Sequence, residues 1–110
     1  MVTIASFRKL ALSFPETTEL PHFEKTSFRV KKKIFATLSE INKIACLKFS
    51  EFDQSAFCSY SKSAIYPVPN KWGKQGWTFI ELSKVPETLL LDALDTAYKN
   101  VLTSGKKKGS

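Results

Sequence analysis

Three short runs rich in β-branched and aromatic residues constrain the fold of this chain most strongly. They span residues 26–30, 34–39 and 43–49, and mostly polar triplets at 31–33 and 40–42 separate them. Such runs with short polar connections are typical of antiparallel strands joined by hairpins. The sequence therefore predicts an antiparallel meander, although neither connection contains the Asn-Gly or Asp-Gly pair that marks many hairpin turns.

Helical periodicity precedes and follows these runs. Ile4, Phe7 and Ala11 share one face of a helix predicted over residues 3–13, with Thr3 as its candidate N-cap. Apolar residues at positions 90, 94, 97 and 101 form the stripe of a closing helix that begins near Pro86. We therefore expect a helix at each end of the chain.

The remaining segments complete the predicted order of elements. Ser50 and Asp53 resemble a capping box, which predicts a short helix over residues 51–60. Residues 16–21 are predicted to be a connection, residues 61–76 mostly loop or hairpin, and residues 77–82 the last strand. This order favours the α+β class, with an antiparallel sheet, helices packed on one face, and N-terminal and C-terminal helices flanking.

Length and charge limit the domain organisation. A chain of 110 residues has room for one domain, which we predict at 1–103, followed by a disordered basic tail at 104–110. The formal net charge is +7. Three of these charges belong to Lys106, Lys107 and Lys108, so the rest of the chain carries +4. An excess of this size is compatible with a polyanionic partner and equally with a solvated face.

Several functional classes have no support in the sequence. No apolar run approaches the ~20 residues of a membrane helix, and no signal-peptide core follows Met1. Cys46, Cys58 and His22 are too few and too poorly spaced for a structural zinc site. Phosphate-binding glycine loops are also missing. From these three observations together we expect no membrane partner, no metal and no cofactor. Two cysteines without a secretory signal favour reduced thiols in the cytoplasm, with Cys46 buried in an apolar run.

Four segments together resemble the MmcQ/YjbR-like family of bacterial proteins. They are ALSFPETTE at 11–19, FRV at 28–30 with KIFA at 33–36, PVPNKWGKQGWT at 67–78, and LLLDALDTAY at 89–98. The resemblance covers nearly all of residues 3–103. It implies a small α+β fold similar to the CyaY-like (frataxin-type) fold, a double-wing arrangement associated with DNA binding, and no established enzyme activity. The Lys31-Lys32 turn departs from the glycine-containing version typical of the family and is more basic.

The first candidate site is the basic tip of the predicted hairpin between residues 30 and 34. Its candidate residues are Arg29, Lys31, Lys32 and Lys33. Cations held on a rigid turn can contact nucleic-acid phosphates, which provides affinity without base specificity. The same lysines would also serve a simpler purpose, since charged turns and edges discourage intermolecular strand pairing.

The second candidate site is an aromatic and basic loop. Lys71, Trp72 and Lys74 combine cations with a ring that can stack on an exposed base. Trp77, in contrast, begins a strand, and we expect it to be part of the core. Trp72 has fewer ways to be buried, because a lysine and a glycine flank it.

These observations favour a cytoplasmic, non-enzymatic DNA-binding module that contacts phosphates through its basic loops. The alternative is a protein-interaction module that uses the aromatic loop around Trp72 and an exposed sheet edge. A third possibility, an enzyme or small-molecule pocket, would need polar groups converging near His22, where Glu19 and Glu24 are close in sequence. An iron site of the frataxin type is disfavoured, because the first predicted helix contains no carboxylate.

Overall fold

The computed structural model describes residues 2–104, without the side chains of His22 and Ser104. These described residues form four α-helices and six strands. Their bounds are α1 (Ile4–Leu12), β1 (Thr17–His22), β2 (Lys25–Val30), β3 (Lys33–Ser39), β4 (Ile44–Lys48), α2 (Glu51–Cys58), β5 (Ile65–Pro67), α3 (Lys71–Lys74), β6 (Trp77–Glu81) and α4 (Glu87–Ser104), with a 3-10 turn at Leu82–Lys84 before α4.

The six strands form one antiparallel sheet in the order β1-β2-β3-β4-β6-β5. Strands β1 to β4 are consecutive hairpins, which confirms the predicted meander. A bulge between Phe28 and Arg29 shifts the register of β2 against β3. With helices at both ends of the chain, the architecture confirms the α+β class.

One face of the sheet packs against the helices and forms the core. In β4 and β6 the inward residues are Ala45, Leu47, Thr78 and Ile80, all fully buried. Helix α4 contacts β2, β3 and β4 on this face, and α1 packs between β1 and α4. The alternating outward residues of the same strands are only partly buried, so the opposite face is open to solvent.

Aromatic rings hold the helices to the sheet. Phe7 of α1 meets Phe28 of β2 edge to face, with ring centroids 5.5 Å apart. Phe35 of β3 and Phe14 both contact Tyr98 of α4, whose hydroxyl donates a hydrogen bond to the carbonyl of residue 15 at 2.7 Å. These four phenylalanines therefore lie at the boundary between the helices and the sheet.

Two predicted helix starts are confirmed by their hydrogen bonds. The Thr3 hydroxyl oxygen accepts a bond from the backbone N–H of Ser6 at 3.0 Å, which caps α1. The Ser50 hydroxyl accepts from the backbone N–H of Asp53 at 3.1 Å and donates to the Asp53 carboxylate at 2.9 Å. In both caps the hydroxyl oxygen accepts from a backbone N–H group that the first turn of a helix leaves unpaired.

One predicted connection was wrong. Residues 16–21 were expected to be irregular, whereas Thr17–His22 forms edge strand β1, paired with β2 along its whole length. Pro21 weakens the strand pattern in the sequence but is tolerated at the edge of a sheet. The segment 61–76, which was predicted to be mostly loop or hairpin, contains the one-turn helix α3 and the short edge strand β5, which pairs antiparallel with β6.

Helix α4 includes Ser104. The rest of the predicted basic tail, residues 105–110, lies outside the described residues. Within residues 2–104, no helix is both long enough and apolar enough to cross a membrane.

Candidate nucleic-acid interface

The topology brings the two predicted basic segments to the same end of the sheet. Strand β3 begins at the end where β4 finishes, because the two run antiparallel. Strand β6 also begins there, with Trp77 opposite Lys48, and α3 precedes β6 by only two residues. The β2–β3 turn and α3 therefore lie at the same end of the sheet, with β4 between β3 and β6, although they are far apart in the sequence.

The β2–β3 connection is a two-residue turn formed by Lys31 and Lys32. Both have a positive φ, 51° and 69° respectively, as a type I′ turn requires. A residue other than glycine in this conformation costs about 1 kcal/mol or more. Lys31, Lys32 and Lys33 are all exposed, so the turn and the start of β3 present three cations to solvent.

Arg29 does not join these three lysines. Its Nε donates a hydrogen bond to the hydroxyl of Ser27 at 3.0 Å, and that hydroxyl donates to the carbonyl of Leu20 at 2.9 Å. The Arg29 side chain therefore lies back along the outer face of β2, away from the turn. Of the predicted hairpin site, the structure groups the three lysines and separates the arginine.

Helix α3 places Lys71, Trp72 and Lys74 on a tightly packed turn. Asn70 caps it, with its side-chain oxygen accepting from the Trp72 N–H at 2.8 Å. A Cβ atom at Gly73 would lie 1.9 Å from the carbonyl oxygen of residue 68, so only glycine permits this close approach. The Lys71 Nζ lies 5.9 Å from the centroid of the Trp72 ring, within cation–π range.

Gly76 allows the chain to turn from α3 into β6. Its φ is +109°, and a Cβ atom there would lie 1.9 Å from the carbonyl oxygen of Phe49. The backbone N–H of Phe49 donates to the Gly76 carbonyl at 3.0 Å. This contact anchors the turn to the end of β4 and thereby sets the position of α3.

The expectation that Trp77 lies in the core was wrong. Thr78 and Ile80 are the inward residues of β6, so Trp77 and Phe79 face the open side of the sheet, where both are half-buried. Trp72 is 50% exposed, as the sequence analysis expected. The alternation of β6 brings the two tryptophans to one surface.

An open groove runs along this outer face. Its volume is about 430 Å³, and its lining residues are Lys25, Ile34, Thr37, Cys46, Val68, Trp72, Trp77 and Phe79. The lining is mainly apolar and aromatic, with one lysine side chain in the wall. We call this surface the aromatic groove.

Cys46 is a free thiol, and it is partly buried in the aromatic groove instead of lying on the helix-covered face of the sheet. Burial raises the pKa of its thiol to about 11, although the charge of Lys25 and a backbone hydrogen bond from Thr78 lower it. The thiol is therefore protonated at neutral pH and is a poor nucleophile.

Charged groups surround the aromatic groove. Lys48, beside Trp77, donates a hydrogen bond from Nζ to the carbonyl of Gln75, and burial lowers the pKa of this lysine. The Glu81 carboxylate accepts a hydrogen bond from the Tyr66 hydroxyl and forms an ion pair with Lys84 at 3.3 Å. The nearest acid on β6 thus already has partners.

Sequence reasoning found the lysines and Trp72 but missed the groove. Lys25, Ile34 and Phe79 were assigned only to predicted strands or to no site. The sequence did contain a signal for a groove on the outer face, because β4 and β6 carry large or apolar residues at outward as well as inward positions. Among residues 2–104, no cluster of three or more histidine, cysteine or acidic side chains could hold a metal ion.

These features define a small α+β protein with one face of its sheet covered by helices and the other open. The chain belongs to the YjbR family, since the model of that family matches residues 12–100, and the sequence-based resemblance is confirmed. A crystal structure of Deinococcus radiodurans protein DR2400, with a domain of the DUF419 family, is similar with a TM-score of 0.83. Its sequence is 23% identical, and the match covers 96% of this chain and 82% of that one. No curated protein matches the sequence.

Proposed function

We propose that this chain is a nucleic-acid-binding module, without catalytic activity, that contacts phosphates through the β2–β3 turn and α3. The observation that carries the proposal is the placement of these two basic segments at the same end of the sheet. A single polyanion can engage both only if they lie at one end, so the strand pairing supports the proposal.

The chemistry of this end suits a phosphate backbone. Five lysines are exposed there, on the β2–β3 turn, at the start of β3 and on α3: Lys31, Lys32, Lys33, Lys71 and Lys74. Glu16 and Glu51 are exposed near the same end, so the lysines outnumber these acids. If five phosphates are engaged on duplex DNA, log affinity should fall with log salt concentration at a slope of about −4 to −5.

Fluorescence anisotropy of labelled oligonucleotides at several salt concentrations tests the proposal. The full chain should bind with a steep salt dependence, and Lys32→Glu or Lys74→Glu should weaken binding and reduce the slope by about 1 each. Lys9→Glu is the matched control, because Lys9 is an exposed lysine on α1. It should leave affinity nearly unchanged.

A second full-length variant removes the contribution of the basic tail. In it Gln replaces Lys106, Lys107 and Lys108, while the rest of the chain is unchanged. Binding that persists in this variant and responds to Lys32→Glu supports the proposed surface. Binding that ignores salt, or that disappears with the tail charges, contradicts it.

The second candidate function is a protein-interaction module. It is favoured by the half-exposed Trp72 beside an apolar groove and by β1, an edge strand paired only with β2. An edge strand can accept a partner strand by hydrogen bonding. This function predicts that Trp72→Ala abolishes partner capture by the immobilised protein, while Lys32→Glu has little effect.

A further inference from the structure

We infer that the aromatic groove binds the bases of single-stranded nucleic acid, with Trp72 as the stacking platform. This inference rests on the proposed function, because the lysines at the end of the sheet would hold the phosphates of the same strand. It adds the class of nucleic acid and the groups that recognise its bases.

The shape and lining of the aromatic groove match a flat aromatic ligand. Its volume of about 430 Å³ lies within the ~300–1,000 Å³ typical of sites for small organic molecules. Trp72, Trp77 and Phe79 line it, so three aromatic side chains contribute to its wall. Stacking on aromatic side chains is the usual source of base affinity in proteins that bind single strands.

The charges around the aromatic groove complement a strand of nucleotides. Lys25 forms part of the wall, Lys71 lies over the Trp72 ring, and Lys48 borders Trp77. Lys31, Lys32 and Lys33 lie at the end of the sheet where Lys48 and Trp77 are, opposite the end where Lys25 begins β2. An apolar floor with a cationic rim favours a ligand that has both flat apolar rings and negative charge.

The position of Trp72 favours a single strand over a duplex. Half of this side chain is exposed, but a ring can stack on it only if a base leaves its own stack. In a duplex the base faces are already covered, and extruding a base costs a few kcal/mol. Unpaired bases in a single strand are free to enter the groove.

Intrinsic fluorescence gives a direct readout, because the chain has two tryptophans and both line the aromatic groove. We would titrate the full chain with three probes of equal length, about 12 nucleotides. These are a thymidine single strand, its abasic counterpart with the same phosphates, and a duplex. The thymidine strand should quench the fluorescence and bind about tenfold more tightly than the abasic strand.

Variants assign the effect to the groove. Trp72→Ala should reduce affinity for the thymidine strand to the abasic level without changing the salt slope, and Trp72→Phe should restore part of it. Phe52→Ala is the control, because Phe52 is 81% exposed on α2 and does not line the groove. Far-UV circular dichroism and duplex binding show that each variant is folded.

The outcomes separate the two proposals. Salt-dependent binding of all three probes with equal affinity and no quenching would overturn the groove inference but leave the proposed function intact. Absence of salt-dependent binding to any probe would overturn both. Equal quenching by a poly-glutamate peptide would also overturn the inference, since the groove would then recognise an acidic chain and not a base.

Discussion

At the scale of single residues, the Tyr66–Glu81 pair shows how the outer face of the sheet accommodates an acid. The Tyr66 hydroxyl donates a hydrogen bond to the Glu81 carboxylate. This bond raises the pKa of Tyr66 to about 12, with smaller effects from burial and the charge of Glu81. The same bond is the main reason why the pKa of Glu81 is lowered. The pair therefore links stability to pH at both ends of the scale.

The alkaline side gives the clearer prediction. Since the pKa of Tyr66 in the folded protein lies above its ordinary value of 10.0, its contribution to the free energy of unfolding is complete below pH 10. It is lost as the pH rises from 10 to about 12. Tyr66→Phe should be less stable at pH 8 and should lose less stability over this alkaline range, measured by urea unfolding.

Tyr60→Phe serves as the control for this prediction, because Tyr60 is an exposed tyrosine outside the pair. It should retain the alkaline loss of the unmodified chain. If Tyr66→Phe retained the same loss, the Tyr66–Glu81 bond would not be the cause. The contribution of Glu81 to the free energy of unfolding has the opposite pH dependence. It is present above the ordinary pKa of 4.5 and is lost as the pH falls.

At the scale of elements, the β2–β3 hairpin combines an unfavourable backbone with an exposed charge. Its two turn residues have the left-handed conformation that Asn-Gly adopts most readily, but both are lysines. A sequence selected only for stability would place Asn or Gly here. The presence of Lys31 and Lys32 is therefore what we expect if the charge of the turn matters for binding.

Replacing this turn tests that interpretation. The double variant Lys31→Asn, Lys32→Gly should raise the free energy of unfolding by about 1 kcal/mol, because the new pair fits a type I′ turn. It should also weaken oligonucleotide binding, because two cations are lost. Chemical denaturation and anisotropy measure the two effects separately.

The matched control is Lys31→Gln, Lys32→Gln, which removes the same charges but keeps two residues that disfavour a positive φ. Its stability should stay close to that of the unmodified chain, while its binding falls as in the first variant. A gain in stability in the glutamine variant would show that charge repulsion, and not backbone conformation, destabilises the turn.

At the scale of the whole molecule, one core supports both faces of the sheet. The same strands that bury Ala45, Leu47 and Ile80 against the helices carry the aromatic groove on their outer side. The residues that line the groove alternate along these strands with the residues buried against the helices. If the helices separated from the sheet, the strands would lose this packing and the groove would be lost with it. Binding surface and core are expected to unfold together.

A single cooperative transition is the measurable consequence. Tryptophan fluorescence reports on the outer face, and far-UV circular dichroism reports chiefly on the helices. Their urea midpoints should coincide within error, as in a two-state domain of this size. An earlier transition in fluorescence alone would mean that α3 and the groove open independently of the core.

Local signals in the sequence determined several parts of this protein. The caps at Thr3 and Ser50 depend on residues within one helical turn, and the meander depends on adjacent hairpins. The exposure of Lys32, Lys74 and Trp72 was also predictable, because charge and glycine neighbours keep a short turn at the surface. These features need no information about distant parts of the chain, although the binding role of these residues stays a prediction.

Only the tertiary structure decided the rest. Residues Thr17–His22 form strand β1 because β2 supplies their hydrogen-bonding partners. The residue pattern of this segment alone does not indicate a strand. Trp77 could face either side of β6, and the packing of the helices on one face of the sheet determined which side became the core. The placement of the β2–β3 turn and α3 at one end of the sheet likewise follows from strand order, which is a property of non-local pairing. Hydrophobic periodicity and charge can be read from the sequence. Which face of the sheet is covered, and which segments lie at the same end of it, depends on how the elements pack.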